Sequence, residues 1–319
     1  MKISIVIPTY RSLKFIEKTV SSINEYASRC SQAVELVIVD DGSEDGTYDF
    51  IVTIALKYQL PITAVQLFRN RGQFRAAMAG FRYVSGDLIV TMDDDLEYLP
   101  TEIDALMKPF QENPGKWDVA IGLPESRKRN LIRDLGSYII NVMNTIMFNK
   151  PRHLRSGSFR MMTAEFVSLL TEYETANPVL GPLIFKSTRR IVNVPVKYQK
   201  GLRSSNYKLS GLVKTFFHNL QNFSEFPLKV ISIAGFAISM IAFLASLLIT
   251  IQYFTGFPWT IKAPGWTSLI VSLCFFSGLI LASIGLIGQY IFRIIEEVNK
   301  TPNYQIRVIK SNHRVRQND

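Results

Sequence analysis

Cysteine is nearly absent from this chain: Cys30 and Cys274 are the only two in 319 residues. They have no metal-ligand spacing, and Cys274 lies inside a long apolar run. A disulfide framework and a zinc site are therefore excluded, and both thiols read as reduced and structural. Histidine is as sparse, with three residues. His153 stands near the Arg152–Arg160 segment, but a lone histidine is more often structural or superficial than catalytic, so none is assigned to a site. No zinc-finger, RNP or helix-turn-helix signature accompanies the formal charge of +10, which points to phosphate ligands and anionic lipid rather than nucleic acid. No internal repeat is visible, and no secretory signal stands before the first apolar run at Ile3.

Charge is also missing from two long stretches. Val230–Phe254 and Thr267–Phe292 contain no Asp, Glu, Lys or Arg. Each exceeds the ~20 residues that a helix needs to cross a bilayer core, so two transmembrane helices are expected. Gly278, Ala282, Ser283, Gly285 and Gly288 would let helices approach closely, which makes a homo-oligomer plausible. Lys229 precedes the first run, and Arg293, Lys300, Arg307, Lys310, Arg314 and Arg316 follow the second. The loop between them, Gln252–Trp266, carries only Lys262, with Tyr253, Trp259 and Trp266 suited to an interfacial belt. The positive-inside rule then puts both flanks in the cytoplasm.

What is present is acidic and clustered. Asp93-Asp94-Asp95-Leu96-Glu97 follows the apolar run Leu88–Met92, and Asp40-Asp41-Gly42-Ser43 follows Glu35–Val39. A third run, Ile3–Ile7, leads into Pro8-Thr9-Tyr10. Strands that end in polar residues are how an open α/β sheet builds a ligand crevice. Asp93, Asp95 and Glu97 alternate, so they can share one face and repel unless a divalent cation neutralises them. The competing reading is a solvated acidic turn. A cation such as Mg²⁺ or Mn²⁺ that also binds phosphates suggests a diphosphate-bearing substrate.

Residues 1–205 read as a doubly wound α/β domain. Strands are expected at Ile3–Ile7, Glu35–Val39, Thr63–Phe68, Leu88–Met92, Val119–Gly122 and Arg190–Tyr198. Helices are expected near Leu13–Ala27, Asp45–Tyr58, Phe74–Val84, Thr101–Gln111 and Asn130–Phe148. Residues 206–228 keep helical apolar spacing (209, 212, 213, 216, 217, 220, 223), the pattern of an in-plane interfacial helix or of an ordinary packing helix. The two-span region covers 229–293, and 294–319 is a basic cytoplasmic tail, polar and mobile from Ser311 onward.

Pro8-Thr9-Tyr10, Asp40–Ser43, Arg69-Asn70-Arg71-Gly72, Asp93–Glu97 and Gly157-Ser158-Phe159-Arg160 occur in an order that resembles family 2 glycosyltransferases. With the C-terminal runs, and with Gly285–Ile291 leading into Arg293 and Glu296-Glu297-Val298, the chain resembles the polyprenyl-phosphate members. These are the dolichyl-phosphate mannose synthases and, more closely, the bactoprenol glucosyltransferases. The resemblance implies a GT-A (Rossmann-like) catalytic domain and a membrane-bound enzyme of the bacterial inner membrane. It implies inverting transfer from a nucleotide diphosphate sugar, by default UDP-glucose, to undecaprenyl or another polyprenyl phosphate. Galactose, N-acetylhexosamines and a modified pentose stay open.

The same resemblance implies that Pro8, Tyr10, Asp40 and Asp41 hold the nucleotide, with Asp93 and Asp94 at the donor. Asp95 and Glu97 would bind Mg²⁺ or Mn²⁺, and Asp93 would support the site or touch the donor. Arg127, Arg133 with Ser137, Arg160 and Arg203 are candidates for the acceptor phosphate, which suits the guanidinium fork. For each of these cations the competing reading is a solvated surface residue. Two departures from the family pattern stand out. Ser158 replaces a usual acidic residue, which bears on any base-assisted step, and Arg11-Ser12 replace Asn-Glu, which bears on donor identity. A phosphate acceptor is ionised near neutral pH, so no strong base is demanded. A polysaccharide synthase is disfavoured because no Gln-x-x-Arg-Trp segment is present. A non-catalytic membrane scaffold is disfavoured by the intact carboxylate motif.

Overall fold

The computed structural model describes residues 1–125, 151, 153–173, 180–199, 201–202, 237, 240, 244, 265–298 and 304–313. The chain divides into two compact units, Met1–Leu212 with Thr301–Asp319, and Val213–Lys300. The chain's last segment groups with the first unit, and the boundary expected at residue 205 falls where residues 203–236 lie outside the described residues.

In that unit β1 (Lys2–Thr9), β2 (Ala33–Asp40), β3 (Ile62–Leu67) and β4 (Leu88–Thr91) alternate with α1 (Ile16–Arg29), α2 (Thr47–Ala55) and α3 (Gln73–Phe81). A short 3₁₀ turn then leads into α4 (Ile103–Glu112). After it come β5 (Val119–Pro124), β6 (Arg160–Thr163), α5 (Ala164–Thr171), α6 (Leu180–Ser187), β7 (Ile191–Val196) and, after the second unit, β8 (Ile306–Ser311). The eight strands lie in the order β7-β5-β6-β4-β1-β2-β3-β8. β1 pairs in parallel with both β2 and β4, while β6 and β8 run antiparallel to their neighbours.

The period of two that marks strands sorts the core into two layers. Ile3, Ile5 and Ile7 pack with Ile16, Val20 and Ile23 of α1 on one face. Val6, Val37 and Val39 pack with Ala76, Ala77 and Phe81 of α3 on the other. Winding goes from β1 outward to β3, then returns to β4 on β1's other side. That reversal between β1 and β4 is where a doubly wound sheet opens a crevice at its carboxyl ends.

Two strands depart from the sequence reading. β6 begins at Arg160 inside what reads as a loop motif, and β8 lies in the expected basic tail. Ser311, Asn312 and His313 are held rather than loose: Asn312 Nδ2 donates to the carbonyls of Ala55 (2.8 Å) and Leu60 (2.9 Å), and its Oδ1 accepts from Ile62 N–H (2.8 Å).

In the second unit, α7 (Gly265–Val298) is one helix of 34 residues. Side chains are described at only some of its positions, where Leu269, Leu273, Ile280, Ile284 and Ile294 are exposed. Among the described residues no helix is long and apolar enough to cross a membrane. The two expected spans therefore rest on the sequence. The expected helix at Asn130–Phe148 and the amphipathic segment 206–228 lie outside the described residues.

Candidate active site

The loops after β1, β2, β3 and β4 meet at the crevice and are tied together by hydrogen bonds. Thr9 Oγ1 donates to Asp94 Oδ2 at 2.6 Å, and the Ser12 hydroxyl donates to the same oxygen. Arg11 N–H donates to Ser43 Oγ at 2.9 Å. Asp41 accepts the backbone N–H groups of Arg71 and Gly72, one on each oxygen, both at 2.7 Å. Gly42 permits this approach: its φ is +69°, and a Cβ there would lie 2.6 Å from the Arg69 carbonyl carbon.

The acidic loop after β4 turns sharply, with Leu96 at φ +55°. Asp95 Oδ1 accepts the Glu97 N–H at 3.2 Å, and Glu97 Oε1 accepts the Tyr198 hydroxyl at 2.9 Å. Burial pushes the Asp95 carboxyl up to about 6, and the charges of Glu97, Asp93 and Asp94 add to the rise. Asp93 is also held above the usual carboxylate range, first by burial and then by Asp94 and Glu97; the Ser158 hydroxyl and the Arg160 charge oppose the shift. Among the described residues, Arg160 is the cation that acts on this loop, through Asp93, and the carboxyls of Asp93 and Asp95 stay raised. Among the described residues no group of three or more His, Cys, Asp or Glu forms a ready-made metal cage. A hard cation held by one or two carboxylates and completed by substrate phosphates needs no such cage, and Asp95 with Glu97 fits that donor set.

Beside the loop is a cavity of about 270 Å³, lined by Pro8, Gln73, Phe74, Asp93, Ser158 and Arg160 among others. Gln73 Nε2, at the start of α3, donates to Asp93 Oδ1. Arg160 is 6% exposed, and its Nε has no hydrogen-bond partner. Burial pulls its guanidinium down to about 10 against the opposing pull of Asp93. A buried donor left without a partner is costly, so it marks a place where an acceptor oxygen would be stabilised. At the end of β2, Asp40 is fully buried, and it accepts Ser43 N–H (3.2 Å) and Gln66 Nε2 (3.3 Å) on one oxygen. Its other oxygen has no partner. Burial raises its carboxyl.

The structure thus gathers Pro8, Asp93, Ser158 and Arg160 around one cavity, with Asp95 and Glu97 on the adjoining loop. Tyr10 sits at the crevice rim with the Arg11 guanidinium 5.2 Å from its ring centroid. Asp41 and Asp94 are also at the crevice, but their carboxylates are engaged by protein partners and hold the loops together. Arg127, Arg133, Ser137 and Arg203 lie outside the described residues. Gln73, Tyr198, Gln199 and Gly201 were not read from the sequence as site residues. Gln73, directly after the Arg69–Gly72 motif, carried the only usable signal among them.

Residues 4–169 match the family model described as glycosyl transferase family 2. The chain belongs to that family. As a family 2 glycosyltransferase it carries the GT-A-type α/β fold expected from its motifs. It is 29% identical over 319 residues to the undecaprenyl-phosphate 4-deoxy-4-formamido-L-arabinose transferase of Photorhabdus laumondii, covering 99% of this chain and 97% of that protein. The enzyme of the same name from Yersinia pestis (strain Pestoides F) is 29% identical over 310 residues, covering 97% of this chain and 93% of that protein. Among solved structures, the glucosyl-3-phosphoglycerate synthase of Mycobacterium tuberculosis, in complex with Mn²⁺, UDP and glucosyl-3-phosphoglycerate, superposes with a TM-score of 0.49 at 16% identity. The match covers 69% of this chain and 78% of that one. The mannosyl-3-phosphoglycerate synthase of Rubrobacter xylanophilus gives 0.47 at 13%, covering 83% and 78%.

Proposed function

We propose that this glycosyltransferase moves a sugar from a nucleotide diphosphate donor, by default a UDP-sugar, to undecaprenyl phosphate at the cytoplasmic face of a bacterial inner membrane. The observation that carries the reading is the extent of the likeness. The curated relatives align over 97–99% of the chain, so the match runs through the C-terminal apolar runs as well as the catalytic domain. The relatives' names also favour 4-deoxy-4-formamido-L-arabinose, a modified pentose, over the glucose that the motifs suggested by default.

Asp95 and Glu97 would hold Mg²⁺ or Mn²⁺, which offsets the charge that develops on the departing nucleotide diphosphate. Asp93, oriented by Gln73 and Ser158, faces the cavity where the donor sugar would sit, and Asp40 at the end of β2 would help to hold the nucleotide. Arg160 supplies positive charge behind Asp93. Arg127, Arg133, Ser137, Arg160 and Arg203 remain the proposed acceptor-phosphate ligands. An acceptor phosphate oxygen would attack the anomeric carbon opposite the nucleotide diphosphate and invert it. Ser158 cannot serve as a general base, and an ionised phosphate does not require one. The two apolar runs would cross the membrane, with segment 206–228 lying at its surface and the small-residue run favouring a homo-oligomer.

The test incubates purified protein with undecaprenyl phosphate, Mg²⁺ or Mn²⁺, and labelled UDP-4-deoxy-4-formamido-L-arabinose, UDP-glucose and other UDP- and GDP-sugars. Label entering the lipid phase from one donor, and lost with EDTA, is the expected result. Nucleotide binding with no lipid labelling from any donor would sink the acceptor assignment and favour a glycan acceptor.

A further inference from the structure

Asp94 is held by Thr9, Ser12 and Thr19, and residues 95–97 of the acidic loop are held by a segment that follows β7. Leu202 N–H donates to the Asp95 carbonyl at 2.7 Å and Gln199 N–H to the Glu97 carbonyl at 3.0 Å. Gln199 Nε2 takes the Leu96 carbonyl at 2.9 Å. The carbonyls of Asp95, Leu96 and Glu97 in this turn are therefore all held by Gln199 and Leu202. The same turn contains Leu96 in the left-handed region, where a branched-chain residue is strained and persists only if its surroundings hold it.

Side chains complete the arrangement. The Tyr198 hydroxyl donates to Glu97 Oε1 at 2.9 Å. Its ring is fixed edge-on to Tyr98 (5.7 Å between centroids), which in turn stacks on Phe159 at 5.0 Å. Phe159 is fully buried. Gly201 lies against the two proposed ligands: a Cβ there would come 2.7 Å from Glu97 Cγ and 3.0 Å from Asp95 Oδ2. A larger residue would have to push at least one carboxylate aside.

We infer that Tyr198, Gln199, Gly201 and Leu202 act as a strap that sets the geometry of the metal-binding carboxylates, with Tyr198 the positioning residue for Glu97 and Gly201 the spacer that keeps Asp95 and Glu97 in place. This rests on the proposed metal role of Asp95 and Glu97. Groups that orient a metal ligand through its second oxygen typically change metal affinity by about 10–100-fold when removed.

The experiment titrates Mn²⁺ into purified full-length protein with UDP present and follows free Mn²⁺ by electron paramagnetic resonance. Tyr198→Phe is expected to weaken Mn²⁺ binding about tenfold, and Gly201→Ala at least as much, while metal-free melting stays at the wild-type temperature. If Tyr198 acts through Glu97, adding Tyr198→Phe to Glu97→Gln weakens binding no further. Wild-type affinity in both Tyr198→Phe and Gly201→Ala overturns the strap. So does an affinity loss matched by an equal fall in metal-free melting, or full additivity in the double variant. A wild-type protein that binds no Mn²⁺ with UDP overturns the metal reading itself, and the strap with it.

Discussion

The two ends of the central sheet treat buried charge in opposite ways. At the amino end, Glu35 is 3% exposed yet fully served: Ser4 Oγ, Ser85 N–H and Ser85 Oγ all donate to it, and Lys2 Nζ pairs with it. Burial alone would raise its carboxyl, but these partners together hold it below the usual value. At the carboxyl end, Asp93, Asp95 and Asp40 are all held above theirs, and Arg160 Nε and one Asp40 oxygen have no partner. Both ends bury ionisable groups under similar strands. Among the described residues, the end at the winding reversal leaves such groups incompletely compensated, which is the expected state of groups whose partners arrive with the substrate.

The largest effect should come from breaking the carboxyl end at its centre. Asp95→Asn is expected to lower lipid labelling by at least about a thousandfold, because a neutral amide cannot hold a cation against a diphosphate. Melting should stay level or rise, since a repulsive charge has gone; full activity in this variant would remove Asp95 from the site. Arg160→Met is the next step. Labelling should fall about a hundredfold if the guanidinium serves the transition state, while stability changes little, because burying the guanidinium is costly and its Nε has no partner, which offsets its attraction to Asp93. A large fall in melting temperature with normal turnover would make Arg160 a structural residue.

The amino end should show the reverse pattern. Glu35→Gln is expected to cost about 2 kcal/mol of stability in denaturant unfolding, with the turnover of the folded fraction unchanged. The pH dependence follows from the sign of the shift. The folded carboxyl lies below its usual 4.5, so its contribution is complete above that pH and is lost as pH falls from there through the folded value. Wild type should therefore lose stability more steeply than Glu35→Gln below about pH 4.5. Parallel curves would mean that Glu35 is no better served when folded than when unfolded.

What the sequence made legible follows the same division. Ile3–Ile7, Glu35–Val39 and Leu88–Met92 read as strands because central parallel strands are buried on both faces and leave unbroken apolar runs. Asp95 and Glu97 stood out because carboxylates at alternate positions after such a run have few other reasons to cluster. β6 was hidden because it spans four residues and begins with Arg160, a charged residue in an interior strand. β8 was hidden because Ile306–Ser311 mixes basic and apolar residues as a half-exposed edge does, and its partner β3 is distant in sequence. Gln73, Tyr198 and Gly201 acquire meaning only when α3 and the segment after β7 are brought to the acidic loop. Neither periodicity nor spacing encodes that proximity.

The smallest effect tests whether the chain's return to the sheet is integral to the catalytic unit. Asn312 acts as a clasp: its side chain reaches the carbonyls of Ala55, Tyr58 and Leu60 and the N–H of Ile62, 250 residues away in sequence. These groups end α2 and begin β3, where helix carbonyls would otherwise lack partners. Asn312→Ala should lower stability by about 1–2 kcal/mol, less than Glu35→Gln because its site is partly open to water. Amide exchange should speed first in β8 and along its pairing with β3, while β1 and β4 at the crevice keep their protection. Faster exchange confined to residues after Ser311 would make the clasp local. Faster exchange reaching β3 would show that the segment following α7 helps hold the catalytic sheet together.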